Sequence, residues 1–363
     1  MNRLITLLLC ICILTPCAGC SGGNNHAEPA DTANTVIDGS GSKLTIPVNK
    51  EKITIASVYA VAVPFIVALG LTGQVTAINV KSKFWTDSCE GLAAAGTVGR
   101  GTVDLEALAK IAPDVLIHRS NDAATVEAVT GKLGIPVLCI TVEDFNDINQ
   151  TLTMMGKYFG REERAKQVCD WLNGKFKMID DIVAGIPKDK RVSALMMGGE
   201  YGRVAGGDML QSWMIQKAGG VCVAADVANS RNWADVGVET VFGWNPDYIF
   251  CTSSTPLNYT VESMLNDSAW SAVTAVRNND VYIIPAAIDS WDMPGISCAI
   301  GTMYMLYRMY PDYFSSGQMQ NEIDDYYTFM FGKSFDSAYL GYDLGNKTVT
   351  TNLDKTVQIC TEV

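Results

Sequence analysis

Residues 161–184, REERAKQVCDWLNGKFKMIDDIVA, decide how the chain is read. Ala165, Val168, Leu172, Phe176, Ile179 and Val183 recur at spacings of three and four, so one face is apolar and the other carries Arg, Lys, Glu and Asp. The pattern predicts one amphipathic helix, about 36 Å long at 1.5 Å per residue, roughly the width of a small domain. Gly160 before it and Gly185 with Pro187 behind it supply its boundary signals. The segments on either side are of similar size, so the helix is expected to serve as a strut between two lobes.

Both flanks alternate strand and helix. Upstream, strands are expected over residues 53–56, 75–79, 115–118 and 137–140, with helices over 61–69, 105–111 and 123–133, after a small hairpin over 36–47. Ile148, Leu152, Met155 and Phe159 form one more helical face before Gly160. Downstream, strands are expected over 192–197, 248–251 and 281–284, with helices over 210–218, 238–242, 261–265 and 300–309. Strands separated by helices imply parallel sheets covered on both faces. The expected fold is therefore α/β: two Rossmann-like lobes with parallel sheets, joined by one long α-helix, with a ligand cleft between the lobes. In such sheets the ligand sits beyond the carboxyl ends of the strands. That rule places 57–59, 81–87, 99–101 and 118–122 at the mouth of the first lobe, and 200–203, 229–234, 252–255 and 286–294 at that of the second.

The chain opens with Arg3, an apolar run over 4–14 and the small-residue stretch Pro16-Cys17-Ala18-Gly19-Cys20, as a secretory signal does. Cys17-Ala18-Gly19-Cys20 resembles a bacterial lipobox, which implies cleavage before Cys20 and a lipid on its sulfur. A lipid there would hold the protein at a membrane surface without spanning it. The expected divisions are 1–19 signal peptide, 20–35 flexible tether, 36–160 first lobe, 161–187 interlobe helix, 188–332 second lobe and 333–363 a C-terminal extension without assignment.

Composition narrows the function. The net charge of -12, about -13 without Arg3, argues against a nucleic-acid partner. Of 11 cysteines, seven lie beyond Cys20, scattered through apolar runs with no C-x-x-C pair, as buried thiols rather than a disulfide framework or zinc site. No G-x-S-x-G elbow between a strand and a helix, P-loop or H-E-x-x-H occurs, and the loop from Gly198-Gly199 to Gly206-Gly207 lacks the lysine and spacing of a nucleotide cradle. Asp289 and Asp292 have no nucleophile paired with them, so a secreted enzyme is a remote reading.

Two sets of motifs carry a resemblance. The first lobe has Val98-Gly99, Asp104-Leu105-Glu106 and Ala112-Pro113-Asp114-Val115-Leu116-Ile117. The second has Ala218-Gly219-Gly220, Val238-Glu239-Thr240 leading to Asn245-Pro246-Asp247-Tyr248-Ile249-Phe250, and Trp270-Ser271-Ala272-Val273 leading to Asn279-Asp280-Val281-Tyr282. From about residue 36 to 332 the chain resembles substrate-binding proteins of ABC importers for iron chelates, haem and vitamin B12, the class with a helix between its lobes. The resemblance implies an extracytoplasmic monomer, anchored by its lipid, that catalyses nothing and delivers a small-molecule metal chelate to a permease dimer with its ATPase. It also implies that Glu106 and Glu239 dock onto permease arginines. Read from the residues alone, both are solvated glutamates at helix starts.

For the ligand, aromatic and cationic residues fall together at the mouths: Tyr59, Phe84, Trp85, Arg100 and Arg119 in the first lobe, and Tyr201, Arg203, Arg231, Trp233 and Trp291 in the second. Guanidinium suits oxygens and ring faces cover apolar surface, so a large anionic or planar ligand is expected. A ferric siderophore leads, with a corrinoid or haem as alternatives and a molybdate-type oxyanion further off. Singly, each residue reads equally as a packed loop aromatic or a surface arginine, and Ser290-Trp291-Asp292-Met293-Pro294-Gly295 equally as a packed corner. Direct metal binding is disfavoured, because of two histidines His26 lies in the tether and only His118 at a mouth. No resident cofactor is expected.

Overall fold

The computed structural model of the 363-residue chain describes residues 34–79, 83–99, 102–229, 231–285 and 290–345. The hairpin comes first, β1 (Thr35–Ile37) against β2 (Lys43–Thr45). Asp38 builds its turn: Oδ1 accepts from the Ser40 and Ser42 amides at 2.9 Å, and Oδ2 accepts from the Cys139 amide at 2.9 Å. That last bond ties the hairpin to the first sheet.

Alternation then follows as the periodicity predicts: β3 (Ile55–Ser57), α1 (Ala62–Ala68), β4 (Val75–Ile78), α2 (Lys83–Ser88), α3 (Glu90–Ala93), β5 (Gly96–Thr97), α4 (Leu105–Ile111), β6 (Val115–Arg119), α5 (Ala123–Leu133), β7 (Val137–Ile140) and α6 (Phe145–Phe159). The five sheet strands pair in parallel in the order β5-β4-β3-β6-β7. β3 and β7 are buried along their whole length because helices cover both faces.

After α7 (Glu162–Ala184) a second sheet forms from β8 (Ser193–Met197), β9 (Arg203–Val204), α8 (Leu210–Lys217), β10 (Val221–Cys222), β11 (Ala234–Asp235), α9 (Val238–Trp244), β12 (Tyr248–Cys251), α10 (Val261–Asn266), α11 (Thr274–Arg277) and β13 (Val281–Ile283). β10, β12 and β13 join β8 in parallel order, repeating the first lobe, but β9 and β11 add an antiparallel edge. An all-parallel second sheet is thus corrected. The chain reverses directly after β8, with Gly198 N–H donating to Arg203 O at 2.6 Å and Gly202 at φ 76°, so the next strand must run back.

The two lobes share one device. α4 and α9 each run seven residues and end on a left-handed residue, Ala112 at φ 48° and Asn245 at φ 46°. A buried proline follows each, then an aspartate. Asp114 Oδ2 accepts from Thr54 N and Oγ1, both at 2.7 Å, and its own amide donates back to Thr54 Oγ1 at 2.9 Å. Asp247 Oδ2 accepts from Ser193 N at 2.8 Å and Oγ at 2.7 Å, and its amide donates back to Ser193 Oγ at 3.0 Å. Each aspartate therefore clamps the turn before β6 or β12 onto the start of β3 or β8.

On α7, Ala165, Val168, Leu172, Phe176 and Ile179 are buried as the apolar stripe requires, with Val183 packed at the margin. Gly160, left-handed at φ 66°, ends α6 and lets α7 start. One flank of the polar side of α7 is covered too. α12 (Cys298–Met309) is buried throughout, and α13 (Ser316–Phe331) lies along α7. The Trp171 ring stacks on Phe329 at 5.4 Å and its Nε1 donates to Asp325 Oδ2 at 2.9 Å, while Lys175 Nζ lies 2.5 Å from Glu322 and 2.8 Å from Asp325. Arg164 donates to Ala68 O of α1 at 2.8 Å and to Phe329 O at 3.1 Å. Phe331, closing α13, stacks on Trp85 of the first lobe at 5.7 Å. The extension then folds back as α14 (Ser337–Leu340), burying Leu340 and Tyr342, and Arg308 donates to Asp343 O at 2.6 Å. Among the described residues no helix is long and apolar enough to cross a membrane.

Candidate functional site

The carboxyl ends of β3, β6 and β7 bring together Tyr59, Arg119 and the start of α6. Tyr59 is half-buried; burial first, then the Glu143 charge, pushes its phenol up to about 12, against a downward pull from Arg119. The Arg119 side chain is 48% exposed, with Nη2 3.9 Å from Asp122 Oδ2. Glu143 is held above the usual carboxylate range by burial, with Arg231 of the second lobe opposing and Asp147 and Asp144 adding to it.

Arg231 reaches this corner from the opposite lobe. Its backbone is left-handed at φ 60° and its amide donates to Asp208 Oδ2 at 2.9 Å, which holds the loop in that unusual conformation. Nη1 lies 3.9 Å from Asp147 Oδ2, and the side chain is 48% exposed. The carboxylates nearby are occupied by local donors. Asp147 accepts from Glu143 N at 3.0 Å, Asp144 caps α6 by accepting from Asp147 N at 2.9 Å, and Asp122 caps α5 by accepting from Thr125 N at 3.2 Å. Among the described residues neither guanidinium has a hydrogen-bond partner, so both keep donors for a bound molecule.

In the second lobe Trp233 is half-buried over Gly198, where an added Cβ would stand 2.8 Å from its Cε3. Only glycine leaves that seat flat. Arg203 on β9 is half-buried beside it in the ladder to Asp235. Beyond β12 and β13 lies a cluster with neither ring nor cation: Thr252, Ser253, Ser254 and Ser290 around the fully buried Asp292. The run Thr252-Ser253-Ser254 after an apolar strand was its visible signal.

Several expected ligand contacts belong to the core instead. Trp291 does not project into the cleft: it is 1% exposed, its Nε1 donates to Tyr327 Oη at 2.9 Å, and it packs against Tyr304 and Tyr342. The indole needed a partner for its N–H and found one inside. Trp85 is 6% exposed under Phe331 at the end of α13. Tyr201 stacks on Tyr259 at 4.5 Å and leans on Trp270 at 4.9 Å, with Oη 3.2 Å from Ser263 Oγ. His118 is buried with Nε2 3.1 Å from Asp122 Oδ2, which helps hold that carboxyl down near 2. It reads as a structural histidine. Arg100 and Cys20 lie outside the described residues, as does the Phe84 side chain. Among the described residues no group of three His, Cys, Asp or Glu side chains has metal-binding geometry, and none of the six described cysteines forms a disulfide.

Glu106 and Glu239 are both exposed, each in the first turn of its helix, α4 or α9. The paired clamps of Asp114 and Asp247 thus hold them at equivalent places on the two lobes.

Two α/β lobes joined by a helix, with Arg119 carried beyond the strand ends of one lobe and Arg231 reaching the same corner from the other, have the architecture of a solute-binding protein. A family profile described as periplasmic binding protein matches residues 55–288. The chain belongs to the periplasmic binding protein family, as a solute-binding protein of an ABC transporter rather than an enzyme, and the family places it outside the cytoplasm. The molybdate-binding protein MolA of Haemophilus influenzae is 23% identical over 255 residues, 64% of this chain and 71% of that protein. Among solved structures, a periplasmic solute-binding protein from Veillonella parvula is similar with a TM-score of 0.72 at 21% identity, covering 87% of this chain and 98% of its own. MolA bound to molybdate gives 0.72 at 20%, over 83% and 99%. Helicobacter pylori CeuE with Ni(II) bound gives 0.70 at 18%, over 84% and 98%. At these identities the structural likeness speaks for the fold.

Proposed function

We propose that the protein captures an anionic, oxygen-presenting solute between its lobes and hands it to an ABC permease and its ATPase, with Glu106 and Glu239 as docking contacts and a lipid on Cys20 as anchor. The observation that carries the reading is the pair Arg119 and Arg231, from opposite lobes, exposed and without hydrogen-bond partners among the described residues while the neighbouring carboxylates are engaged. Guanidinium donors placed this way suit an oxyanion or the oxygens of a chelate.

The buried positions of Trp85 and Trp291, with Tyr201 stacked on Tyr259, remove most of the ring surface that a siderophore, corrinoid or haem would use, and so favour a small oxyanion of the molybdate class. The relative MolA supports the same choice. A ferric chelate is the second reading, supported by Tyr59 and Trp233, which keep partial exposure at the mouth. Calorimetric titration with molybdate, tungstate, sulfate, a ferric catecholate, cobalamin, haem and Ni(II) with histidine separates these. Molybdate or tungstate is expected to bind, and Arg119→Ala with Arg231→Ala to weaken it on the order of a hundredfold, about 1.4 kcal/mol per arginine. Binding of a chelate with no response to any oxyanion overturns the oxyanion choice, and unchanged affinity in the double variant overturns the role of the arginines.

A further inference from the structure

Asp292 is fully buried at the carboxyl ends of β12 and β13, and the groups acting on its carboxylate among the described residues are Ser290, Thr252 and Ser253, none of them charged. Gln211 of α8 donates to its backbone oxygen at 2.8 Å, Ser297 at the start of α12 donates to Ser290 O at 3.3 Å, the phenols of Tyr304 and Tyr327 lie around the neighbouring Trp291, and the buried Cys251 thiol, which burial pushes up, precedes Thr252 on β12. Buried carboxylates ordinarily have a cation; here hydroxyls stand in its place.

Each hydroxyl brings one hydrogen and two lone pairs. Ser290 Oγ donates to Oδ1 at 2.5 Å, Ser253 Oγ sits 3.1 Å from the same oxygen, and Thr252 Oγ1 donates to Oδ2. Thr252 Oγ1 is in turn 2.8 Å from Ser254 Oγ, with either atom able to donate, and Ser254 is half-exposed just past β12. With Asp292 ionised, the Thr252 hydrogen points to Oδ2 and the Ser254 hydrogen points to Thr252. Ser254 then offers only lone pairs outward. With a proton on Oδ2 the chain reverses: Oδ2–H donates to Thr252, Thr252 to Ser254, and the Ser254 hydrogen is released to point outward past the carboxyl end of β12. One proton taken from solvent becomes one outward donor, with no other bond made or broken. Burial pushes the Asp292 carboxyl up while its hydroxyl partners pull it down, so its proton is held more readily than by an ordinary aspartate.

We propose that the chain Asp292, Thr252, Ser254 couples oxyanion capture to uptake of one proton, with Ser254 Oγ as the donor that protonated Asp292 turns toward the ligand. This rests on the anionic-solute reading above. Above the Asp292 titration, affinity falls about tenfold per pH unit, because the binding form must first gain the proton.

Molybdate titrations of the whole protein across the pH range over which it stays folded, in buffers of differing ionisation enthalpy, count the protons exchanged on binding. The wild type is expected to take up one. Asp292→Asn, whose amide donates as the protonated acid does, is expected to bind without proton uptake, with affinity independent of pH and higher than wild type at the alkaline end. Ser254→Ala, at a half-exposed position with little bearing on folding, is expected to bind about tenfold more weakly and without uptake. Molybdate bound by the wild type with no proton exchanged, or uptake retained in Ser254→Ala, overturns the coupling and leaves the oxyanion reading standing. No oxyanion bound by any of the three proteins sinks both together.

Discussion

Replacing Asp247 with alanine removes the carboxylate that fastens the turn after α9 to the first residue of β8. Two donors lose their acceptor, Ser193 N at 2.8 Å and Ser193 Oγ at 2.7 Å. Hydrogen bonds to a charged acceptor contribute about 1.5–3 kcal/mol each, and partial exposure of this site favours the lower end, so the loss is about 3 kcal/mol. For a chain of this size that lowers Tm by roughly 5–10 °C. Asp114→Ala removes the same two contacts, both at 2.7 Å, from a more exposed position and should cost about 2 kcal/mol. Urea unfolding followed by circular dichroism measures both, with Asp189→Ala as an exposed control expected within about 0.5 kcal/mol of wild type. A double-mutant cycle with Ser193→Ala should return a coupling of about 1–2 kcal/mol. If Asp247→Ala unfolds with the control, or the two changes at Ser193 and Asp247 simply add, the clamp is not what holds the lobes' matching corners.

Glu106→Ala combined with Glu239→Ala should abolish solute uptake by cells while leaving calorimetric affinity for the solute intact; a large loss of affinity would contradict docking. Leu172→Ala, at a fully buried position on α7, should cost about 3 kcal/mol through lost transfer energy and a cavity, read as a lower urea midpoint at unchanged slope. Asp122 is held down near 2, chiefly by His118, so its contribution to stability is present above the ordinary carboxylate range and lost as pH falls through about 2. The Tm gap between wild type and Asp122→Asn should therefore shrink between about pH 4 and 2, and a gap constant with pH would show that the pairing with His118 does not matter.

Periodicity made the frame legible. α4, α5, β7 and β12 fall where the apolar spacing puts them, since a face that must be buried has no freedom in where its side chains recur. The two-residue strands β9, β10 and β11 are too short to carry any period, and the antiparallel edge of β9 and β11 exists because Gly198 and Gly202 let the chain turn back on β8. The site was legible by segment and not by side chain. A mouth over 286–294 did include Ser290 and Asp292, yet the eye-catching Trp291 between them points into the core, where Tyr327 lies far off in sequence. Composition favours large aromatics as ligand contacts. What decides is which neighbour completes the indole N–H, and that depends on α13, a helix the sequence reading did not isolate. Glu143 and Asp147 escaped notice because their meaning comes from Arg231, which reaches them only after the chain has crossed to the other lobe.

α13 changes the mechanics of the interlobe helix. A single rod between two bodies leaves them free to bend and to twist about it. Here a second member is fastened alongside through Trp171, Lys175 and Arg164, and its far end is stacked on Trp85 of the first lobe. Two members in parallel oppose torsion and leave one axis for movement, a scissor opening across the mouth. Any opening along that axis would change the distance between the exposed glutamates on α4 and α9, which would make their separation a gauge of how far the jaws are closed.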